Sequence, residues 1–384
     1  MIKIFVSVFL SIVFAVSTYA QDKLRTLLPP RIYAATGQEV NVYFDNVVLT
    51  PNYRNFLFDV NCVKGRQDSA RWQMTPKDSD IGKFPFELNV LDSENKKIAQ
   101  AKSEIVIVSK DAGAGKAFSI LIIGDSLTDA SVYPNELKKL LTANGNPDVK
   151  FIGSHAGRGQ ALDGSKVPHE GRGGWTWAGF CKIYNLSQSD YKAKSPFLFP
   201  DENGKPVLDL KKYLDKYNEG KEPDFITVFL GTNDVFSAND DTIDKKIDEI
   251  FASADILLGE FRKAAPHCKI GLITTVPPSA SQDAFGENYA CGQTRWQFRR
   301  NQHRLVERLY QKFGDSEKDG ISIIPACVNV DCENNYPVKN STLNARSKKP
   351  ISRPCNGVHP ANDGYFQIAD ALFSWIKYKL SENN

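Results

Sequence analysis

A chain of 384 residues exceeds the usual size of one hydrophobic core, so two domains are expected. Hydrophobic residues at 41% against 24% charged exclude a disordered chain. Forty-eight basic against 45 acidic residues leave a net charge of +3, too balanced to hold a polyanion over a broad face, so nucleic acid is not expected as a partner.

At Met1 to Ala20 a single charge, Lys3, precedes an apolar run from Ile4 to Val16, and Ser17-Thr18-Tyr19-Ala20 offers small residues to a signal peptidase. About 13 apolar residues fall short of the roughly 20 that span a bilayer, so residues 1–20 read as a cleaved signal peptide rather than an anchor. The mature chain then begins near Gln21, in a periplasm or the extracellular medium, with no membrane contact. Cys62, Cys181, Cys268, Cys291, Cys327, Cys332 and Cys355 all lie beyond this segment, and their odd number leaves at least one thiol unpaired. None shows a CxxC spacing and the five histidines are scattered, so no metal site is expected.

From about Arg31 to Ser109 the apolar residues alternate: Val40, Val42, Phe44; Phe56, Phe58, Val60, Cys62; Phe86, Leu88, Val90; Ile105, Ile107. Short period-two strands separated by turn-formers predict a small all-β sandwich over residues 21–110. Asp111 to Lys116 contains GAGK, but the earlier glycine of a phosphate loop is missing and Ala117 replaces the Ser or Thr that holds magnesium. Residues 111–116 therefore read as a linker.

Beyond it the rhythm changes. Apolar runs at Ser119–Ile123, Val149–Ile152, Phe225–Leu230, Ile270–Val276 and Ile321–Ile324 alternate with helical patterns. One helix runs through Ile243, Ile247, Ile250, Phe251, Ala254, Leu257 and Phe261, a second through Leu305 to Phe313, and a last through Tyr365 to Ile376. Residues 117–384 are thus expected to form a three-layer α/β/α sandwich on a five-stranded parallel sheet, with chemistry at the carboxyl ends of the strands.

Three clusters fall at that edge. Gly124-Asp125-Ser126-Leu127-Thr128 ends the first strand and would lift a serine hydroxyl to the rim. Gly231-Thr232-Asn233-Asp234 ends the third, where a carboxamide could face a developing oxyanion. Asn356-Gly357-Val358-His359-Pro360 precedes the last helix and supplies an imidazole.

In this order and at these boundaries the clusters resemble the GDSL or SGNH hydrolase family, over roughly Lys116 to Leu380. The resemblance implies Ser126 as nucleophile, His359 as base, and an oxyanion hole from the Ser126 N–H, Asn233 and Gly171, with Gly173 and Gly174 as rival registers for the glycine. It also implies that no metal or organic cofactor is needed. The family places an aspartate three residues before its histidine, and this chain has Asn356. An amide oxygen can orient an imidazole but brings no charge to the imidazolium. Asp283 or Glu287 could supply the missing carboxylate, a backbone carbonyl could leave a Ser–His dyad, or deamidation at Asn356-Gly357 could create an acid.

The expected reaction is acyl-enzyme hydrolysis of an ester on an acylated carbohydrate, with release of O-acetyl groups by an exported enzyme. Trp175, Trp177, Trp296 and Arg295 are the candidate substrate contacts, and Arg299, Arg300 and Arg304 share the helix face of Arg295. A lipase, thioesterase or arylesterase with the same machinery is one alternative, and a non-catalytic glycan-binding protein on a hydrolase scaffold is another. The β-sandwich is expected to be a spacer.

Overall fold

The computed structural model describes residues 24–143, 146–157, 159–160 and 163–382, so the expected signal peptide lies outside the described residues. The amino-terminal strands are β1 (Arg31–Ala35), β2 (Val40–Tyr43), β3 (Leu57–Asn61), β4 (Arg66–Gln67), β5 (Arg71–Met74), β6 (Gly82–Leu91) and β7 (Lys97–Val108). They form a four-stranded sheet ordered β1-β7-β6-β3 and a three-stranded sheet ordered β2-β5-β4. Val42, Trp72, Phe86, Leu88, Ile105 and Ile107 are buried between them, which is what the alternating pattern predicts.

The α/β region is built on β8 (Ala117–Gly124), β9 (Asp148–Ile152), β10 (Glu170–Gly171), β13 (Phe225–Phe229), β14 (Lys269–Ile273) and β15 (Ile321–Ile324); a hairpin of β11 (Leu198–Pro200) and β12 (Pro206–Leu208) lies outside this sheet. The parallel sheet runs β9-β8-β13-β14-β15, and the two-residue β10 continues the β9 edge beside the end of β8. Helices Ile243–Ala264 and Arg295–Phe313 cover one face, while Val132–Thr142 and Asn362–Ser381 cover the other. The five expected strands and the layered architecture are present. Several short elements were not expected from the sequence, among them β10, the β11–β12 hairpin, the helix Val132–Thr142 and an exposed hairpin of β16 (Val338–Asn344) and β17 (Ser347–Pro354), which shows no apolar alternation.

Residues 111–116 do not behave as a free linker. The Lys377 ammonium donates to the Ala112 carbonyl at 2.9 Å, and a side chain at Gly113 would collide with Leu380. The reason lies in the strands on either side. Ile32 and Ala34 of β1 and Ile105 and Ile107 of β7 face the sandwich core, but the alternate residues Tyr33, Ala35, Val106 and Val108 are also apolar. They pack with Trp375, Ile376 and Tyr378 of the last helix. A sheet apolar on both faces must be covered on both, and burial contributes about 1.5–3 kcal/mol for each large side chain.

Polar contacts fix the same interface. Buried Arg299 donates to the carbonyls of Asp45 at 2.7 Å and Asn46 at 2.9 Å, and to Gln302 Oε1 at 2.7 Å. Arg295 pairs with Asp45 at 3.1 Å and donates to the Ser279 carbonyl. Arg295, expected as a substrate contact, and Arg299 on the same helix instead tie the sandwich to the α/β layer. Arg300 and Arg304 pair with Asp240 and Asp244, each at 2.8 Å. The seven cysteines are all free thiols, with Cys268, Cys327 and Cys332 buried.

Replacing Arg299 by Met keeps the volume but strands two buried carbonyls and an amide oxygen. It is expected to cost about 2–4 kcal/mol in equilibrium urea unfolding, whereas Arg300→Ala at an exposed pair changes stability by at most about 0.5 kcal/mol.

Candidate active site

Each candidate group is presented by a tight turn at the carboxyl edge of the sheet. A Cβ on Gly124 would lie 1.9 Å from Thr128 Oγ1, so only glycine lets the chain turn from β8 into the short helix Ser126–Asp129. Asp125 caps that helix by accepting the Leu127 N–H at 3.0 Å. Ser126, partly exposed, occupies the first helical position, where its own N–H has no intrahelical acceptor. At the end of β13, Gly231 adopts φ of +122°, and a Cβ there would strike Leu305 at 2.6 Å. This turn starts the helix Thr232–Val235 that carries Asn233.

Ser126 Oγ lies 2.8 Å from His359 Nε2. The two are separated by 233 residues in sequence and meet because β8 lies inside the sheet and His359 precedes the last helix. The loop bearing His359 is anchored to the segment after β14. Ser279 N–H donates to the Gly357 carbonyl at 3.1 Å, and a Cβ on Gly357 would overlap Phe285.

Asn356 does not face the imidazole nitrogen opposite Ser126. Its carboxamide oxygen accepts the N–H groups of Val358 at 3.1 Å and His359 at 2.9 Å, which fixes the loop. Asp283 lies 3.7 Å from Arg353 and Glu287 pairs with Lys339, so both carboxylates are engaged with the β16–β17 hairpin. Among the described residues, the ring's only hydrogen bond is the one to Ser126. Half-burial alone pushes the His359 pKa below 6.5, with no carboxylate raising it.

Gly171 also differs from expectation. Its N–H donates to His169 Nδ1 at 3.0 Å and is not available to a substrate. That bond sets the tautomer of His169, because an accepting Nδ1 leaves the proton on Nε2, which then donates to Ser131 Oγ at 2.8 Å. His169 is buried and its pKa falls to about 3, so the ring stays neutral. The Ser131–His169 pair is thus a structural clamp and not a second nucleophile. By contrast, the N–H groups of Gly173 and Gly174 have no hydrogen-bond partner among the described residues. Gly174 is exposed at φ of +84°, and the next carbonyl, of Trp175, accepts Asn233 Nδ2 at 3.0 Å. Of the two free N–H groups, that of Gly174 belongs to the residue directly before the one whose carbonyl holds Asn233. Two unpaired glycines in one loop gave the sequence no means to choose the register.

Asn233 also donates to Asp125 Oδ2 at 3.3 Å, and Asp234 accepts the Trp177 N–H at 3.2 Å. Burial raises both carboxyls to about 7, and the charge of Asp234 adds to the effect on Asp125. Trp175 and Trp177, expected to meet sugar, are 5% and 4% exposed and belong to the apolar core. Trp296 is half-buried with Arg300 above its ring. Beside the rim, a Cβ on Gly173 would touch Lys192 Nζ and Asp129 Oδ2, so that wall is ionic. Asp129 is itself held by His155 at 2.8 Å and by Tyr191. A cavity of about 730 Å³ opens well away from this edge, at the amino ends of β14 and β15. Among the described residues, no group of three or more His, Cys, Asp or Glu could hold a metal ion.

The family model for the GDSL-like lipase/acylhydrolase matches residues 120–372, more than half of the chain and all three clusters. The chain belongs to that family. No curated protein matches it. Similar solved structures include a Clostridium thermocellum family 3 carbohydrate esterase (16% identity, 69% of this chain and 100% of that one, TM-score 0.42). Another is a carbohydrate esterase family 3 protein from Talaromyces cellulolyticus (17%, 69% and 99%, 0.37). A third is a carbohydrate acetylesterase family member from Sinorhizobium meliloti (16%, 68% and 99%, 0.39).

A base that must be neutral and is depressed by burial keeps working in mild acid. The acid limb of kcat/KM is therefore expected below pH 6.5. Asn356→Asp retains an oxygen for both N–H groups and adds a negative charge close to the ring, so it is expected to move that limb upward by about one pH unit. An unchanged profile would show that the charge does not reach the imidazole.

Proposed function

We propose that the protein is an exported serine esterase that removes O-acetyl or other short acyl groups from a carbohydrate, using a Ser–His dyad. The 2.8 Å contact of Ser126 Oγ with His359 Nε2 carries this reading. His359 Nε2 takes the hydroxyl proton as Ser126 Oγ bonds to the ester carbonyl carbon. The oxyanion is met by the N–H groups of Ser126 and Gly174 and by the Asn233 amide, which gives up its longer contact with Asp125. The proton then passes from His359 to the departing sugar oxygen, leaving the acyl group on Ser126. Water, deprotonated by the same imidazole, attacks the acyl carbon, and the proton returns to Ser126 Oγ as the acid leaves.

The polar rim at Gly173, with Lys192 and Asp129, supports a hydrated alcohol portion such as a sugar over a long acyl chain. The signal-like segment of residues 1–20 supports a substrate outside the cytoplasm.

Ser126→Ala is expected to lower hydrolysis of 4-nitrophenyl acetate by at least about 10³-fold and to abolish labelling by a fluorophosphonate. Asn233→Ala is expected to cost about 10²–10³ in kcat. Acetate release from acetylated polysaccharide, with little cleavage of palmitoyl esters, is the expected specificity. The reverse preference would make the enzyme a lipase, and full activity in Ser126→Ala would remove the dyad.

A further inference from the structure

The β16–β17 hairpin stands directly before the general base. Val338 pairs with Pro354, and the Cys355 N–H donates to the Pro337 carbonyl at 2.8 Å, so the ribbon's base adjoins Asn356 to His359. Its root is braced against the helix Gln282–Tyr289, where Lys339 pairs with Glu287 and Arg353 lies 3.7 Å from Asp283. Phe285 of that same helix packs under Gly357. Both strands are largely exposed, and a two-stranded ribbon covered by nothing is marginal in water.

Its charge is one-sided. Between Val338 and Pro354 stand Lys339, Arg346, Lys348, Lys349 and Arg353, with no Asp or Glu. The whole chain carries only +3, so this segment concentrates positive charge in a molecule that is otherwise balanced. Arg346, Lys348 and Lys349, near the tip, are exposed and have no ion-pair partner among the described residues. At about 3.3 Å per residue Lys349, Lys348 and Arg346 lie about 17 to 26 Å along the ribbon from its root. Asn340, Ser341, Thr342 and Ser352 add hydrogen-bonding groups between root and tip.

We infer that this hairpin docks an anionic polysaccharide, a uronate-bearing chain whose acylated unit reaches Ser126 while neighbouring carboxylates meet Arg346, Lys348 and Lys349. The inference rests on the carbohydrate-esterase reading and narrows its substrate class. Local charge suffices here, because a flexible acidic chain needs only a few contacts beside the site and not a basic face across the protein.

The test is the variant Arg346→Ser, Lys348→Ser, Lys349→Ser in the full mature chain. With acetylated polygalacturonate, KM is expected to rise about tenfold with kcat little changed, while turnover of 4-nitrophenyl acetate and of neutral acetylated xylan stays the same. The wild-type advantage on the acidic polymer should vanish near about 0.5 M salt. Binding is read separately by affinity electrophoresis of Ser126→Ala protein in unacetylated polygalacturonate. Retardation is expected, and its loss in the triple variant confirms the docking even if no glycan ester is cleaved, an outcome that would sink the acetylesterase reading alone. Equal KM and retardation in wild type and variant overturn the inference, as does aggregation of the variant with polymer kinetics unchanged, which would assign the cations to edge protection. Binding to phosphatidylglycerol vesicles in place of polygalacturonate overturns it as well.

Discussion

Everything at this site depends on a hydrogen bond between two groups 233 residues apart, Ser126 Oγ and His359 Nε2. Neither lies on a long element. Ser126 opens a single helical turn and His359 sits in a loop, so the contact survives only because rigid structure ends immediately beside each. Strand β8 lies inside the sheet, flanked by β13 on one side and by β9 and β10 on the other, which fixes the serine turn. The last helix is buried along most of its length, which fixes the histidine loop. Close approaches at Gly124, Gly231 and Gly357 then leave each turn little room to shift.

The imidazole is positioned by packing and backbone bonds and not by a carboxylate. Asn356 fixes the loop through two N–H groups, Gly357 locks against Phe285, and the ring is half-buried. Burial keeps the resting histidine neutral and ready to accept a proton, but it also makes the imidazolium intermediate costlier than a buried aspartate would. Nearby, Asp125 and Asp234 are raised to about 7 by the same low-dielectric surroundings. An ionised Asp125 would draw the Asn233 amide toward itself and repel a developing oxyanion. A carboxyl shifted toward neutrality competes less for that N–H.

The layers and the strand positions were legible because strand-length apolar runs and helical periodicity are properties of local sequence, whereas the strand order rests on pairings between distant segments and was not. The serine, asparagine and histidine were legible because each follows a strand or precedes a helix at one edge. Tryptophan is amphipathic by composition alone, and only coordinates show that Trp175 and Trp177 close the core. The arginines at helical spacing gave no sign of their partners, because Asp45 and Asn46 are some 250 residues away and two of the acceptors are main-chain carbonyls. Gly171 was misread because the donor's fate depends on His169, whose position no spacing rule fixes.

The amino-terminal sandwich belongs to this scaffold and is not a spacer. Its outer face, Tyr33, Ala35, Val106 and Val108, packs on the helix that follows His359, while Arg299 and Arg295 join Asp45 and Asn46 to the helix Arg295–Phe313. The last helix is therefore held between the parallel sheet and the four-stranded sheet. Without the sandwich, the apolar stripe of that helix would face water, and it would no longer have two walls to hold it in place. The histidine loop leads into the amino end of this helix, so the amino-terminal strands and the general base are joined through one buried element.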